Sequence, residues 1–179
     1  MTEFREAFVG TDAAKLRNAV AVADAGRDGE IRYLAEMDAS AVSMRRLVGR
    51  LATKYDRLHF CYEAEPTGYG LHRLITDLGH SCTVVAPSLI PRRASDRVKT
   101  NRRDATMLAR LLRAGELTAV WVPDPVHEAM RNLVRSRAAT VETVRVHKQQ
   151  VSAFLLRHSR IFPRRKMFSG HLFSRAVES

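Results

Sequence analysis

The chain has 179 residues, with 30 Lys+Arg against 19 Asp+Glu, a net charge of +11 and 45% hydrophobic residues. This composition excludes a disordered chain, because a domain of about 150 residues buries roughly 70% of its unfolded surface. No apolar run approaches the ~20 residues of a bilayer span or follows a basic stretch as in a signal peptide. Cys61 and Cys82 lack CxxC spacing, so neither a zinc site nor a disulfide framework is suggested, and both read as buried reduced thiols in a cytoplasmic protein.

Residues 7–12 and 18–23 read as strands, and the turn cluster 24–29 leads into a third at 31–35. Ser40 is placed to cap a helix running to about Tyr55, with Val42, Leu47, Val48 and Leu51 facing inward. Residues 58–62 form a short strand ending at Glu63. A helix over 69–78 is stopped by Gly79, and 81–86 is a fifth strand closed by Pro87. A loop through Pro91, Arg92 and Arg93 precedes a helix from about Asn101 to Arg113, ended by Gly115. Residues 120–123 are extended. Asp124 then caps a helix with Pro125 at its first position, and nothing breaks that helix before about His158. Its apolar seam (Met130, Leu133, Val134, Ala138, Val141, Val144, Val151, Leu155) is interrupted by Arg137 and Lys148. At ~45 Å for ~30 residues it is too long to be covered by so small a domain, so part of it should pair with another helix.

The order β-β-β-α-β-α-β-α describes an α/β protein with a mixed five-stranded sheet flanked by helices, followed by a long coiled-coil-like extension. Two folds fit this order: the RNase H-like fold and the half-domain of sugar-kinase and actin-type ATPases. The division is 1–115 for the sheet domain, 116–165 for the extension and 166–179 for an irregular tail.

Charge is uneven. Residues 1–87 carry 11 basic and 12 acidic residues, 88–113 carry 8 and 2, and 127–166 carry 10 and 2. Two basic blocks after a near-neutral half are the footprint of phosphate-backbone contact.

Asp12 ends the first strand and Glu63 the fourth. If those strands are parallel neighbours, both carboxylates meet at the carboxyl edge of the sheet, where α/β sites lie. Asn101 and Asp104 follow at i, i+3, on one helical face. Hard oxygen donors gathered in this way point to Mg²⁺ or Mn²⁺, and two such ions can drive phosphodiester chemistry. Each residue also has a plainer reading: turn residue, solvated acid, or salt-bridge partner of a nearby arginine.

Three stretches together resemble a known family: Val9-Gly10-Thr11-Asp12-Ala13-Ala14-Lys15, Tyr62-Glu63-Ala64-Glu65-Pro66-Thr67-Gly68 and Val98-Lys99-Thr100-Asn101-Arg102-Arg103-Asp104-Ala105. The resemblance, over roughly residues 7–165, is to the N-terminal half of the DEDD insertion-sequence transposases, which include pilin-gene invertases and bridge-RNA-guided recombinases. It implies a RuvC-like domain of RNase H fold acting on DNA phosphodiesters in a bacterial cytoplasm. Four acidic positions would bind Mg²⁺ or Mn²⁺, mapping onto Asp12, Glu63, Asn101 and Asp104. Position 101 departs from the usual Asp: the amide oxygen can ligate but brings no charge. Lys15, Arg92, Arg93, Arg97, Lys99, Arg102 and Arg103 would contact DNA or a structured guide RNA, and the long helix would join copies into a dimer or higher oligomer.

Family members continue into a C-terminal domain with a nucleophilic serine. No serine here matches it by motif, so the expectation is a domain that cannot complete strand exchange alone. Two further readings stay open: a nucleic-acid-binding and dimerisation module without chemistry of its own, and a kinase-like ATP-binding half-domain suggested by Gly10-Thr11-Asp12.

Overall fold

The computed structural model describes residues 4–64, 68–91 and 100–161. It divides into two compact units, Met1–Val122 and Pro123–Ser179. In the first, strands β1 (Glu6–Ala13), β2 (Arg17–Asp24), β3 (Ile31–Asp38), β4 (Arg57–Glu63) and β5 (Ser81–Val85) form one sheet in the order β3-β2-β1-β4-β5. β1 pairs antiparallel with β2 and β2 with β3, whereas β4 lies parallel to both β1 and β5. Three antiparallel strands extended by parallel ones, with helices on both faces, is the arrangement of the RNase H-like fold.

Alternation along the strands assigns the two faces. Ala7, Val9, Val20, Val22, Leu58 and Phe60 point to one side. There they pack with Met44, Leu47, Val48 and Leu51 of helix α1 (Ala41–Ala52) and Ile75 of α2 (Gly70–Asp77). Full burial of a side chain such as Phe60 or Met44 contributes about 1.5–3 kcal/mol. The other side is small. Ala19, Ala21 and Ala23 meet Ala105 and Ala109 of α3 (Asn101–Ala114). Gly10 lies beneath the same helix, where a Cβ would run into Ala105 O, Ala109 N and Leu108 Cβ. This strip of methyl groups and one glycine lets α3 sit close on the strands.

Local chemistry sets the helix ends. Ser40 accepts from Ser43 N–H at 3.3 Å, and Thr100 accepts from Arg103 N–H at 3.3 Å. Gly115, at φ 69°, closes α3 in the left-handed conformation, and Glu116 N–H returns to Leu111 O at 3.0 Å. In the second unit, α4 (Pro125–Arg157) starts as the sequence predicts: Asp124 accepts from Val126 N–H at 3.0 Å and His127 N–H at 2.9 Å, with Pro125 in the first turn. Taken by itself, α4 buries none of its side chains.

Four local readings need correction. Val42 is 66% exposed, because the inward stripe of α1 runs through Met44, Leu47, Val48 and Leu51. The helix ends at Ala52 rather than Tyr55, whose hydroxyl donates to Asp24 Oδ1 at 2.6 Å and draws the ring onto the sheet. β3 extends to Asp38 because its polar end still pairs with Arg17 and Asn18. After β5 the chain makes a short 3₁₀ turn at Pro87–Leu89 rather than a plain loop.

Candidate functional site

Gly10 pairs with Cys61 and Thr11 with Tyr62, in parallel register. The paired register stops there, one residue short of Asp12 and Glu63. Gly10 lies under α3, and the Cys61 thiol donates to Leu108 O at 3.5 Å. Asp12 and Glu63, two residues on, therefore share the α3 side of the sheet. The two strand ends meet as the sequence anticipates.

Two contacts fix the direction of α3. At its start, Asn101 Nδ2 donates to Glu36 Oε1 at 3.1 Å, and Glu36 lies in the register row Asp12–Ala19–Glu36. At its end, Arg113 Nη1 donates to Asp24 O at 3.2 Å and Gly29 O at 2.5 Å, beyond the opposite edge. The helix thus runs against β1 and puts its first turn over the edge where β1 and β4 finish. Asp104, in that turn and half-buried, shares a helical stripe with Leu108 and Leu111, which pack on Cys61 and Val85. That stripe runs along the β4 side of the helix. Asn101 leans the other way, tied to β3.

Strand register and helix direction thus put the ends of β1 and β4 and the first turn of α3 at one edge of the sheet, and Asn101 bonds to Glu36. Among the described residues, no three His, Cys, Asp or Glu side chains lie close enough together to hold a metal by themselves. Magnesium seldom needs that, since it is commonly held by one or two carboxylates with water and substrate phosphate supplying the rest. The donor set here is all oxygen, which suits a hard cation. The N-terminus of α3 adds partial positive charge at the same edge, favourable to a phosphate.

Glu36 escaped the sequence reading. Its only signal is the register that aligns it with Asp12, and register is not visible without the sheet. Lys15 is exposed just beyond β1, at this edge. Arg102 places its guanidinium 5.3 Å from the centroid of Tyr33, and Arg103 is exposed in the same turn. Arg92, Arg93, Arg97 and Lys99 lie outside the described residues, as do residues 65–67 of the second motif. Tyr62, fully buried, donates to Gly68 O at 2.9 Å and anchors the chain just past that motif.

Comparison with known proteins adds to this geometry. A family model described as transposase, of the DEDD type named for IS110, matches residues 9–160. The chain belongs to this transposase family. It is 62% identical over 169 residues to "Putative transposase y4qE" of Sinorhizobium fredii, covering 94% of this chain and 43% of that protein. It is 33% identical over 154 residues to the transposase for insertion sequence element IS1533 of Leptospira borgpetersenii, covering 86% of this chain and 44% of that protein. The chain thus spans less than half the length of these relatives. DEDD transposases generally work with a divalent metal. Among the described residues, no helix is long and apolar enough to cross a membrane.

Proposed function

We propose that this chain supplies the carboxylate half of a DNA transposase, working on DNA phosphodiesters with Mg²⁺ or Mn²⁺ in the bacterial cytoplasm. One observation carries the reading: Asp12 and Glu63 end adjacent parallel strands on the face that also receives the first turn of α3. In this reading Asp12, Glu63 and Asp104 hold the cation, with Asn101 as an auxiliary oxygen donor. When bound, the ion lowers the pKa of an attacking water or hydroxyl and stabilises the leaving oxygen. The chain's own residues do the positioning. Gly10 lets α3 sit low enough to present Asp104 to the edge, Thr100 fixes the turn that carries it, and Lys15, Arg102 and Arg103 hold the strand's phosphates. Arg92, Arg93, Arg97 and Lys99, from the segment preceding that turn, would extend the phosphate contact. The family resemblance supports a structured guide RNA as a further partner, and the exposed apolar seam of α4 supports self-association.

A second reading has its own support. Asn101 is uncharged and bonded to Glu36, and no three-ligand group forms among the described residues. These favour a nucleic-acid-binding and dimerisation module without cleavage activity.

Thermal melting across a Mn²⁺ titration separates the two. The catalytic reading expects a rise in melting temperature that Asp12→Ala abolishes and Glu36→Gln leaves in place. A flat titration, with binding of DNA retained, would establish the silent module.

A further inference from the structure

The outward face of α1 presents Arg45, Arg46 and Arg50, all exposed, and Lys54 follows in the turn beyond the helix. No acidic residue occurs between Ser40 and Tyr55. The carboxylates that flank the helix are engaged elsewhere: Asp38 accepts from Ser40 N–H at 2.8 Å and Asp56 from Arg5 N–H at 2.8 Å. Among the described residues, none of these four cations forms an ion pair. Arg46 and Arg50 stand one turn apart, a spacing at which like charges weaken a helix. Gly49 lies between them on the outer surface, with nothing near the position of a Cβ. The row is charged, uncompensated and open.

The row leads into an open cavity of about 960 Å³ at the C-terminal end of α1. Phe4, Arg5, Arg32, Lys54 and Tyr55 contribute to its walls, together with two carboxylates that are already engaged, Asp24 by Arg32 and Glu6 by His59. Part of this wall is rigid: Arg32 Nη2 donates to Asp24 Oδ1 at 2.8 Å and to Tyr55 Oη at 2.7 Å. The Phe4 ring at the cavity is 65% exposed, and the Arg57 guanidinium lies 6.0 Å from its centroid. A line of cations running into a pocket with aromatic rings is how proteins hold an unpaired polynucleotide, phosphates on the cations and bases against the rings.

We propose that the outer face of α1 and the cavity at its end form a second nucleic-acid track, which takes a single-stranded stretch of polynucleotide. α1 and α3 cover opposite faces of the sheet, so this track and the carboxylate edge can be occupied together. The proposal rests on the nucleic-acid reading of the family but concerns residues that reading does not use.

The test is fluorescence anisotropy of the full chain with labelled single-stranded DNA, single-stranded RNA and duplex DNA, each over a salt series. The variants are Arg46→Gln/Arg50→Gln/Lys54→Gln, the charge-preserving Arg46→Lys/Arg50→Lys, and Arg102→Gln/Arg103→Gln on α3. With ~0.7 counterions released per phosphate contact on a single strand, the triple variant should lose about 2 from the slope of log affinity against log salt. Its affinity at fixed moderate salt should fall at least about tenfold, while the lysine variant keeps both. The α3 variant should leave the α1 contribution in place. Tighter binding of RNA or of DNA identifies the natural strand, and equal binding supports a track that reads backbone and stacking alone.

An unchanged slope in the triple variant, with unchanged far-UV circular dichroism, would overturn the track and leave the family reading standing. Preference for duplex would overturn the single-strand assignment. Failure of the unaltered chain to bind any of the three would overturn the track and the proposed function together. If the triple variant loses helicity, Arg46→Gln alone, expected to lower the slope by about 0.7, decides the matter.

Discussion

Gly10 shows how one residue sets the distance between two layers. A methyl there falls on the backbone of Ala105 and Ala109, and helix backbone yields far less readily than a side-chain tip. Gly10→Ala should therefore destabilise the fold by about 1–3 kcal/mol, as overpacked cores do, read as a shift in the urea midpoint without a change in slope. Asn101 is legible as a departure from the family pattern, but not in its consequence. Asn101→Asp would exchange its hydrogen bond to Glu36 for a repulsion between two carboxylates. Without metal the variant should melt lower than the parent, and Mn²⁺ should raise its melting temperature by more. Equal Mn²⁺ responses would remove position 101 from the ligand set. Cys61 is buried and Cys82 half-buried. Burial pushes the Cys82 thiol from an ordinary 9.0 up to about 12 and holds Cys61 well above its usual value. Between pH 9 and 12 the unfolded chain gives up protons that the folded chain keeps, so stability should fall as pH rises through that window. Thiol alkylation at pH 8 should be slow in the native chain and fast in urea.

At the scale of elements the sequence was clear wherever a cap or a turn residue marks an end. Gly115 and the Asp124–Pro125 pair place helix ends to within a residue, because left-handed backbone and a missing N–H are local requirements. Edge pairing and side-chain reach are not local, so β3 ran longer and α1 shorter than the pattern indicated. Thr100 is the cap on the turn that presents Asp104. Thr100→Ala should cost about 1 kcal/mol and lower Mn²⁺ affinity more than an exposed change such as Glu116→Gln, measured by thermal shift. In α4 the cap responds to pH. Hydrogen bonds from His127 hold the Asp124 carboxyl below its usual range, so the cap is intact above the ordinary Asp pKa and is lost as pH falls through the lowered one. Far-UV circular dichroism should show helix lost in that acid window, and Asp124→Asn, which keeps an acceptor, should remove most of the dependence.

For the whole molecule, the charge count along the sequence pointed to two basic blocks and passed over a third basic surface, on α1. Residues 1–87 balance overall, yet α1 itself carries no acid while its arginines are exposed together. Averaging over sequence erased a patch that folding creates. The seam of α4 belongs to this scale as well. Met130, Leu133, Val134, Val141 and Val144 are 59%, 67%, 62%, 55% and 47% exposed. Sedimentation should show a dimer or larger species at micromolar concentration, shifted toward monomer by Leu133→Glu/Val141→Glu. A monomer in both would remove self-association through this helix.

Composition, periodicity and the three motifs determined the element order, the mixed sheet and the family, because each is written in spacing along the chain. Tertiary structure alone decided which side of the sheet each carboxylate takes, that Glu36 joins the row of Asp12, that Asn101 turns from Asp104 toward β3, and that the α1 arginines face solvent unopposed. Those outcomes depend on strand register and helix direction, which are set by packing between segments far apart in sequence.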